Sequence, residues 1–321
     1  MGPSTIDIIF LIFKIISIIL YFFVMWFIYR KEMKEDTESN KSFYINFIIN
    51  GFVDSFDILM MTFLLDVTRW GWFYEYFKYN EEFIRWSPIF SYLPIFWCEM
   101  GNLIITFNRF VALNFPFKYK LYWTKKVTIF LILIQFLLPL IVYHYLIGEQ
   151  TKMNYLEECN CYSLSMASSV ISQKNNITAT IYTHTVFILT FVMSICNIIK
   201  FKKFAKNKHS NKESRTMLPF VLYCSIICFS TLFLALAYTI KMVGTILKSE
   251  NVRANAQSYV TISMLCMTVI HPYLLLFING RLRKKFFIYY IPCTRKFFSD
   301  EVTIHKTTQQ RNADVNRRRT G

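Results

Sequence analysis

The sequence predicts an all-α membrane protein, a bundle of seven transmembrane helices. Three observations carry this: the composition, the spacing of the apolar segments, and the placement of the basic residues. Of 321 residues, 54% are hydrophobic, 18% aromatic and only 17% charged, against about 25% charged in an ordinary soluble domain. A soluble core has nowhere to put 33 phenylalanines and 20 tyrosines, so the bilayer is the solvent they require. A net charge of +16 would suggest a nucleic-acid partner in a soluble chain. Here the lysines and arginines lie between apolar segments, which makes the lipid bilayer the partner and excludes nucleic acid.

A helix crossing the hydrocarbon core needs about 20 mainly apolar residues. Seven segments qualify, at about 6–29, 42–66, 87–113, 127–147, 178–200, 216–240 and 256–279. The first is too long for a signal-peptide core, has no basic leader and shows no small-residue cleavage site, so it is retained as a span. No internal repeat and no long linker divides the chain, and residues 1–298 are expected to form one membrane domain. From Ser299 the sequence is polar and lacks a core-forming pattern, so 299–321 should be a disordered cytoplasmic tail.

The connections give the orientation. Those at 30–41, 114–126 and 200–215, together with 280–321, carry 26 lysines and arginines, whereas the opposite side carries 7. Positive charge marks the cytoplasmic face, so the N-terminus lies outside and the C-terminus inside. Asn176-Ile177-Thr178, in the second outer connection, is a glycosylation acceptor triplet on the matching side. The triplet at Asn40-Lys41-Ser42 falls on the inner side, out of reach of the enzyme.

At the inner end of span three stands Asn108-Arg109-Phe110, followed by Phe115-Pro116 and Trp123. The seven spans and this arginine resemble the rhodopsin-like G-protein-coupled receptors, whose Asp/Glu-Arg-Tyr motif occupies this place. Asn108 replaces the acid and Phe110 the aromatic, and Pro116 stands where those receptors often have a loop proline. In span seven, His271-Pro272-Tyr273 resembles their Asn-Pro-x-x-Tyr switch, with the proline kept and the polar partners changed. The pattern Asn-Arg-Phe…Phe-Pro…Trp is closer to the nematode serpentine chemoreceptors, in particular the gamma-class (Srg) superfamily, over residues 6 to about 295. That resemblance implies a chemosensory receptor in the plasma membrane of sensory neurons. Its ligand would be a small molecule or peptide, and its partner a heterotrimeric G protein contacted through Asn108, Arg109, Phe110 and Pro116. It implies no enzyme activity and no cofactor. By itself, an arginine at the inner edge of a span could simply snorkel to water. Asn108 cannot form the ion pair that an acidic neighbour supplies in the wider family.

Ionisable residues inside spans are costly and usually face the protein interior. Lys14 and Asp57 fall about 12–14 Å from the outer surface, and Asp54 and Glu99 about 18 Å. Lys14, Asp54 and Asp57 read as a structural cluster, for instance a Lys14–Asp57 pair. Glu99 reads either as a packing carboxylate, paired with Asp54 or a basic residue, or as part of the ligand pocket. His144 and His184, in the outer halves of spans four and five, are expected to be hydrogen-bonded interior residues. Trp70, Trp72 and Trp86 are expected to anchor the outer interface.

Cys98, Cys196, Cys224, Cys228 and Cys266 fall within spans and should be packed thiols. Cys159 and Cys161 lie in an outer connection where disulfides are permitted. No cysteine stands near residues 84–88 to make the usual receptor bridge, so these two could join each other, bridge another chain or stay reduced. No metal site is expected. After span seven, the basic run at Arg281, Arg283, Lys284 and Lys285 and the aromatics that follow suit a short helix on an anionic leaflet, at about 280–291. Cys293 beyond it is a candidate for palmitoylation. The competing functions are a seven-span transporter or membrane enzyme and an accessory receptor subunit without its own ligand. A retinal pump would need a lysine in the last span, and 256–279 has none.

Overall fold

A computed structural model describes residues 3–35, 38–72, 74–156, 161–206 and 211–294. They form seven helices long and apolar enough to cross a membrane, numbered here spans one to seven: Thr5–Glu32, Lys41–Val67, Arg85–Asn114, Lys125–Leu146, Ser169–Lys206, Met217–Ile246 and Asn255–Ile278. Two compact units divide the chain, Met1–Tyr273 and Leu274–Gly321. The second includes the expected surface helix, Gly280–Tyr290, whose start is capped by the Asn279 side chain accepting from the Leu282 amide at 3.1 Å. The tail at 299–321 lies outside the described residues.

Within the first unit, span three is the axis. Its most apolar stretch is 72% buried, against 22% for spans four and five, and it packs against spans two, four, five and six. Gly101 permits a close approach here: a Cβ there would stand 1.8 Å from Asn50 Oδ1 of span two and 2.6 Å from Gln135 Nε2 of span four. Span one lies at the other extreme, with Ile6, Ile9 and Phe22 each 60% exposed or more. In water such a face would drive association, but against lipid it is the surface a membrane helix needs.

Spans five and six run further than hydropathy indicates. Span five starts at Ser169 rather than 178, and span six ends at Ile246 rather than 240. The early turns of span five contain polar residues that are buried all the same, Asn175 and Asn176 among them. An apolarity threshold passes over them. Two spans carry π-helical turns, Ile28–Glu32 and Thr62–Val67, a feature often found where a side chain must be re-aimed.

The connection between spans four and five contains an antiparallel hairpin, β1 Thr151–Leu156 and β2 Cys161–Met166, in register from Thr151↔Met166 to Leu156↔Cys161. It rests on the ends of spans two and three. Ser87 and Thr151 hydroxyls are 2.8 Å apart, and Tyr162 packs tilted against Tyr74 with centroids at 4.8 Å. Gly71, at φ 74°, passes so close beneath Tyr162 that a Cβ would meet the ring at 3.1 Å. Trp70 is buried and makes an edge contact with Trp72 at 5.2 Å. This corrects the expectation of an interfacial anchor, whereas Trp72 and Trp86 are exposed.

Candidate functional site

At the end of the bundle that bears the basic loops, span three delivers Asn108 and Arg109 into the interior, where both are buried. Asn108 Nδ2 donates to Tyr119 Oη at 2.9 Å. Tyr119 belongs to a loop helix, Pro116–Tyr122, which begins on Pro116 because the first helical position does not need an N–H. Tyr119 stacks on Trp123 at 5.7 Å, Trp123 meets Phe107 at 5.5 Å, and Phe110 meets Phe115 at 6.0 Å. The spaced motif of the sequence is therefore one packed corner, held to span three by its asparagine.

Arg109 is placed by aromatic faces. Its guanidinium carbon lies 4.0 Å from the ring centroid of Phe43 in span two and 3.7 Å from that of Phe220 in span six. A desolvated cation–π contact contributes about 2 kcal/mol, so this sandwich ties spans two, three and six together. Phe43 also meets Phe220 edge-on at 5.3 Å and Tyr223 at 5.8 Å.

A buried polar core lies deeper. Tyr21 Oη of span one is 2.5 Å from Asp54 Oδ2 of span two and 2.7 Å from the Thr268 carbonyl of span seven. His271 Nε2 stands 3.8 Å from Asp54 Oδ2, and its Nδ1 is 2.8 Å from Tyr223 Oη. Asn50 Nδ2 donates to Asp54 and to Asn102 Oδ1, both at 3.3 Å, and Gln135 Nε2 donates to Asn50 Oδ1 at 3.3 Å. From Asp54 through His271, Tyr223 and Phe43 to Arg109 the side chains are contiguous. Tyr273 points another way: its hydroxyl is 3.1 Å from Ser17 and its ring stacks on Phe13 in span one. Pro272 sits inside the seventh helix between them.

Lys14 does not form its ion pair with Asp57. Its ammonium bonds Asp66, nine residues further along span two and half a turn away in a regular α-helix. The π-helical turn Thr62–Val67 holds Asp66 and re-aims it toward span one. Asp57 is buried within electrostatic range of Lys14, and its Oδ2 accepts no hydrogen bond.

In the half of the bundle opposite the basic loops, Glu99 is fully buried and accepts from Thr183 Oγ1 of span five at 2.8 Å. Neither Asp54 nor a basic residue is its partner, and its Oε2 has no hydrogen bond. Around it gather aromatic groups: Phe96 stacks on Tyr143 at 4.1 Å and meets Tyr182 at 5.0 Å and Tyr238 at 6.4 Å. An apolar cleft of about 330 Å³ opens between spans three, four and five, with Met100, Leu138 and Tyr182 in its wall; Glu99 is not part of it. His184 bridges the Thr180 carbonyl and the Thr239 hydroxyl, as an interior histidine should. His144 is exposed and bonds only the Ile141 carbonyl of its own helix, which corrects its expected interior place.

Asn176 is a second correction in placement: it lies in span five rather than in an outer connection, and its buried amide donates to Thr245 of span six at 3.0 Å. Cys98, Cys224 and Cys228 are buried thiols, Cys196 is half-buried, and Cys266 is exposed on its span. Cys293 is an exposed thiol just past the surface helix. Cys159, and with it the disulfide suggested for the outer connection, lies outside the described residues; Cys161 is described only as the first residue of β2.

Seven apolar helices packed about span three, with a buried arginine where its basic end meets a short loop helix, define a seven-transmembrane protein of the receptor type. The sequence matches the model of the serpentine-type 7TM GPCR chemoreceptor family Srv over residues 10–290. The chain belongs to that family. This bears out the resemblance to nematode serpentine chemoreceptors and corrects its class, which is Srv rather than Srg. No curated protein matches the sequence.

Proposed function

We propose that the chain is a chemosensory receptor that binds an external cue in the half of the bundle opposite the basic loops and activates a heterotrimeric G protein at the basic end. It would act as a multi-pass protein of the plasma membrane, in sensory neurons. The observation that carries the reading is the Arg109 sandwich. A buried cation held by Phe43 of span two and Phe220 of span six is released when those spans separate, which would turn it toward a G-protein segment. Asp54, His271 and Tyr223 link the seventh span to that sandwich and are the residues through which a rearrangement higher in the bundle could reach it. Their contiguity supports the route; coupling measurements would establish it. Asn108 and Pro116 act in this reading by positioning the loop helix, and Cys293 is the candidate site of a second membrane anchor.

The test is G-protein activation in cells expressing the full chain, screened against volatile and water-soluble cues. Arg109→Ala should remove cue-dependent activation at matched surface expression. Activation that persists would reduce Arg109 to a packing residue, whereas a wild-type chain that activates no G protein with any cue would be an accessory subunit or a protein of another function.

A further inference from the structure

Three cations are buried among the described residues: Lys14, Arg109 and Lys241. Lys14 has Asp66, and Arg109 has two aromatic faces at 4.0 and 3.7 Å. Lys241 has neither. It lies in span six, five residues from the end at Ile246, and only 5% of it is exposed. Its Nζ is 5.6 Å from the ring centroid of Tyr92 and 6.0 Å from that of Tyr238, at the limit of useful cation–π range. No described carboxylate pairs with it. A buried ammonium with three N–H donors and no counter-ion is costly, and proteins keep such groups where something else supplies the charge.

The surrounding groups indicate the missing charge. Tyr238, less than one helical turn deeper, has a buried hydroxyl without a hydrogen-bond partner, and so does Tyr143, within electrostatic range of it. Both can donate. Ammonium and phenol hydroxyls together make a donor-rich site, which an acceptor-only group such as a carboxylate satisfies. Glu99 lies in electrostatic range of both tyrosines, and among the described residues Lys241 is the one buried cation of this half not paired with a carboxylate, so the site matches a single negative charge. Phe96 and Tyr92 provide aromatic surface for an apolar body.

We infer that the cue is a small monocarboxylic acid whose carboxylate is held by Lys241, with the hydroxyls of Tyr238 and Tyr143 as further donors. This rests on the reading of the chain as a receptor, but its test is separable. The full chain, purified in lipid nanodiscs, is melted with acetate, butyrate, benzoate and decanoate, and with the amide of each. At least one acid should raise Tm saturably while its amide does not. A response to the short acids alone places the source in water, and one to decanoate alone places it in the bilayer. Lys241→Gln should weaken that acid's Kd by about tenfold or more, and Lys241→Arg should largely keep it. Without ligand, Lys241→Met should melt no lower than the wild type, because it removes an uncompensated buried charge. The inference is overturned if no acid shifts Tm, if acids and amides act alike, if Lys241→Gln leaves Kd unchanged, or if Lys241→Met melts lower. Acid binding without G-protein activation by the wild type would count against the receptor reading and leave the inference standing.

Discussion

Two phenylalanine faces flank the buried Arg109 at 4.0 and 3.7 Å, and truncating a ring leaves the cation with less reason to stay inside. Phe220→Ala should therefore favour the separated arrangement of spans three and six by about 1–2 kcal/mol. That is a rise of roughly 5–30-fold in the ratio of open to closed receptor, read as basal G-protein activity without a cue. Unchanged basal activity at equal surface expression would mean that the sandwich does not hold the resting state. Glu99 poses the complementary question in the other half of the bundle. Glu99→Gln keeps the shape and the hydrogen bond from Thr183 but removes the charge. If Glu99 bounds the ligand site, the cue dose-response should shift while surface yield stays normal. A dose-response that stays in place alongside altered yield would assign Glu99 to packing. Neither phenylalanine could be singled out from sequence. Among 33 phenylalanines, only the fold shows which two face the arginine, whereas Arg109 and Glu99 were legible as charges in apolar surroundings.

Hydropathy located all seven helices, because a stretch of apolar side chains long enough to cross a bilayer has no other stable place. It could not show where a helix continues on buried polar residues, as at Asn175 and Asn176, or where its winding changes. The second limit explains the Lys14 pairing. Depth alone matches Lys14 to Asp57, and only the π-helical turn brings Asp66 round to it. The two carboxylates should accordingly differ on mutation. Asp66→Asn leaves Lys14, whose side chain is 5% exposed, short of its counter-ion. It should cost about 2 kcal/mol, the value for a buried pair reduced for the partial exposure of Asp66. Asp57→Asn removes no ion pair and should cost less. Thermal melting of the two variants in one detergent decides this, and an equal or larger loss for Asp57→Asn would return the pair to the depth-matched assignment. The Lys241 site was hidden by the same boundary problem: an expected end at 240 leaves that lysine just outside span six, and the helix runs on to Ile246.

For the whole molecule, the reading depends on which end of the bundle faces the cell interior, since the same seven helices inverted would present Arg109 to the outside. The connections carry 26 basic residues on one side and 7 on the other, and basic loops stay in the cytoplasm during insertion. The side chains are consistent with that polarity. The basic end has the loop helix Pro116–Tyr122, while the opposite half has the hairpin, the buried Lys241, and the buried Glu99 Oε2 and Tyr238 hydroxyl, which have no hydrogen-bond partner. Intact cells expressing the chain with a different epitope tag at each terminus should bind antibody only to the N-terminal tag. The C-terminal tag should become reachable only after permeabilisation. Because the two termini of a seven-span chain lie on opposite sides, each tag is a control for the other. If the C-terminal tag is reached first, Arg109 faces away from every cytoplasmic partner and the G-protein proposal fails, although the helical bundle and the Lys241 site would be unaffected. If both tags are reached, the number of crossings is even, and one of the seven apolar helices does not span. Span one would then be the first to re-examine, because its most apolar stretch is only 28% buried within the protein and it stands next to the N-terminus.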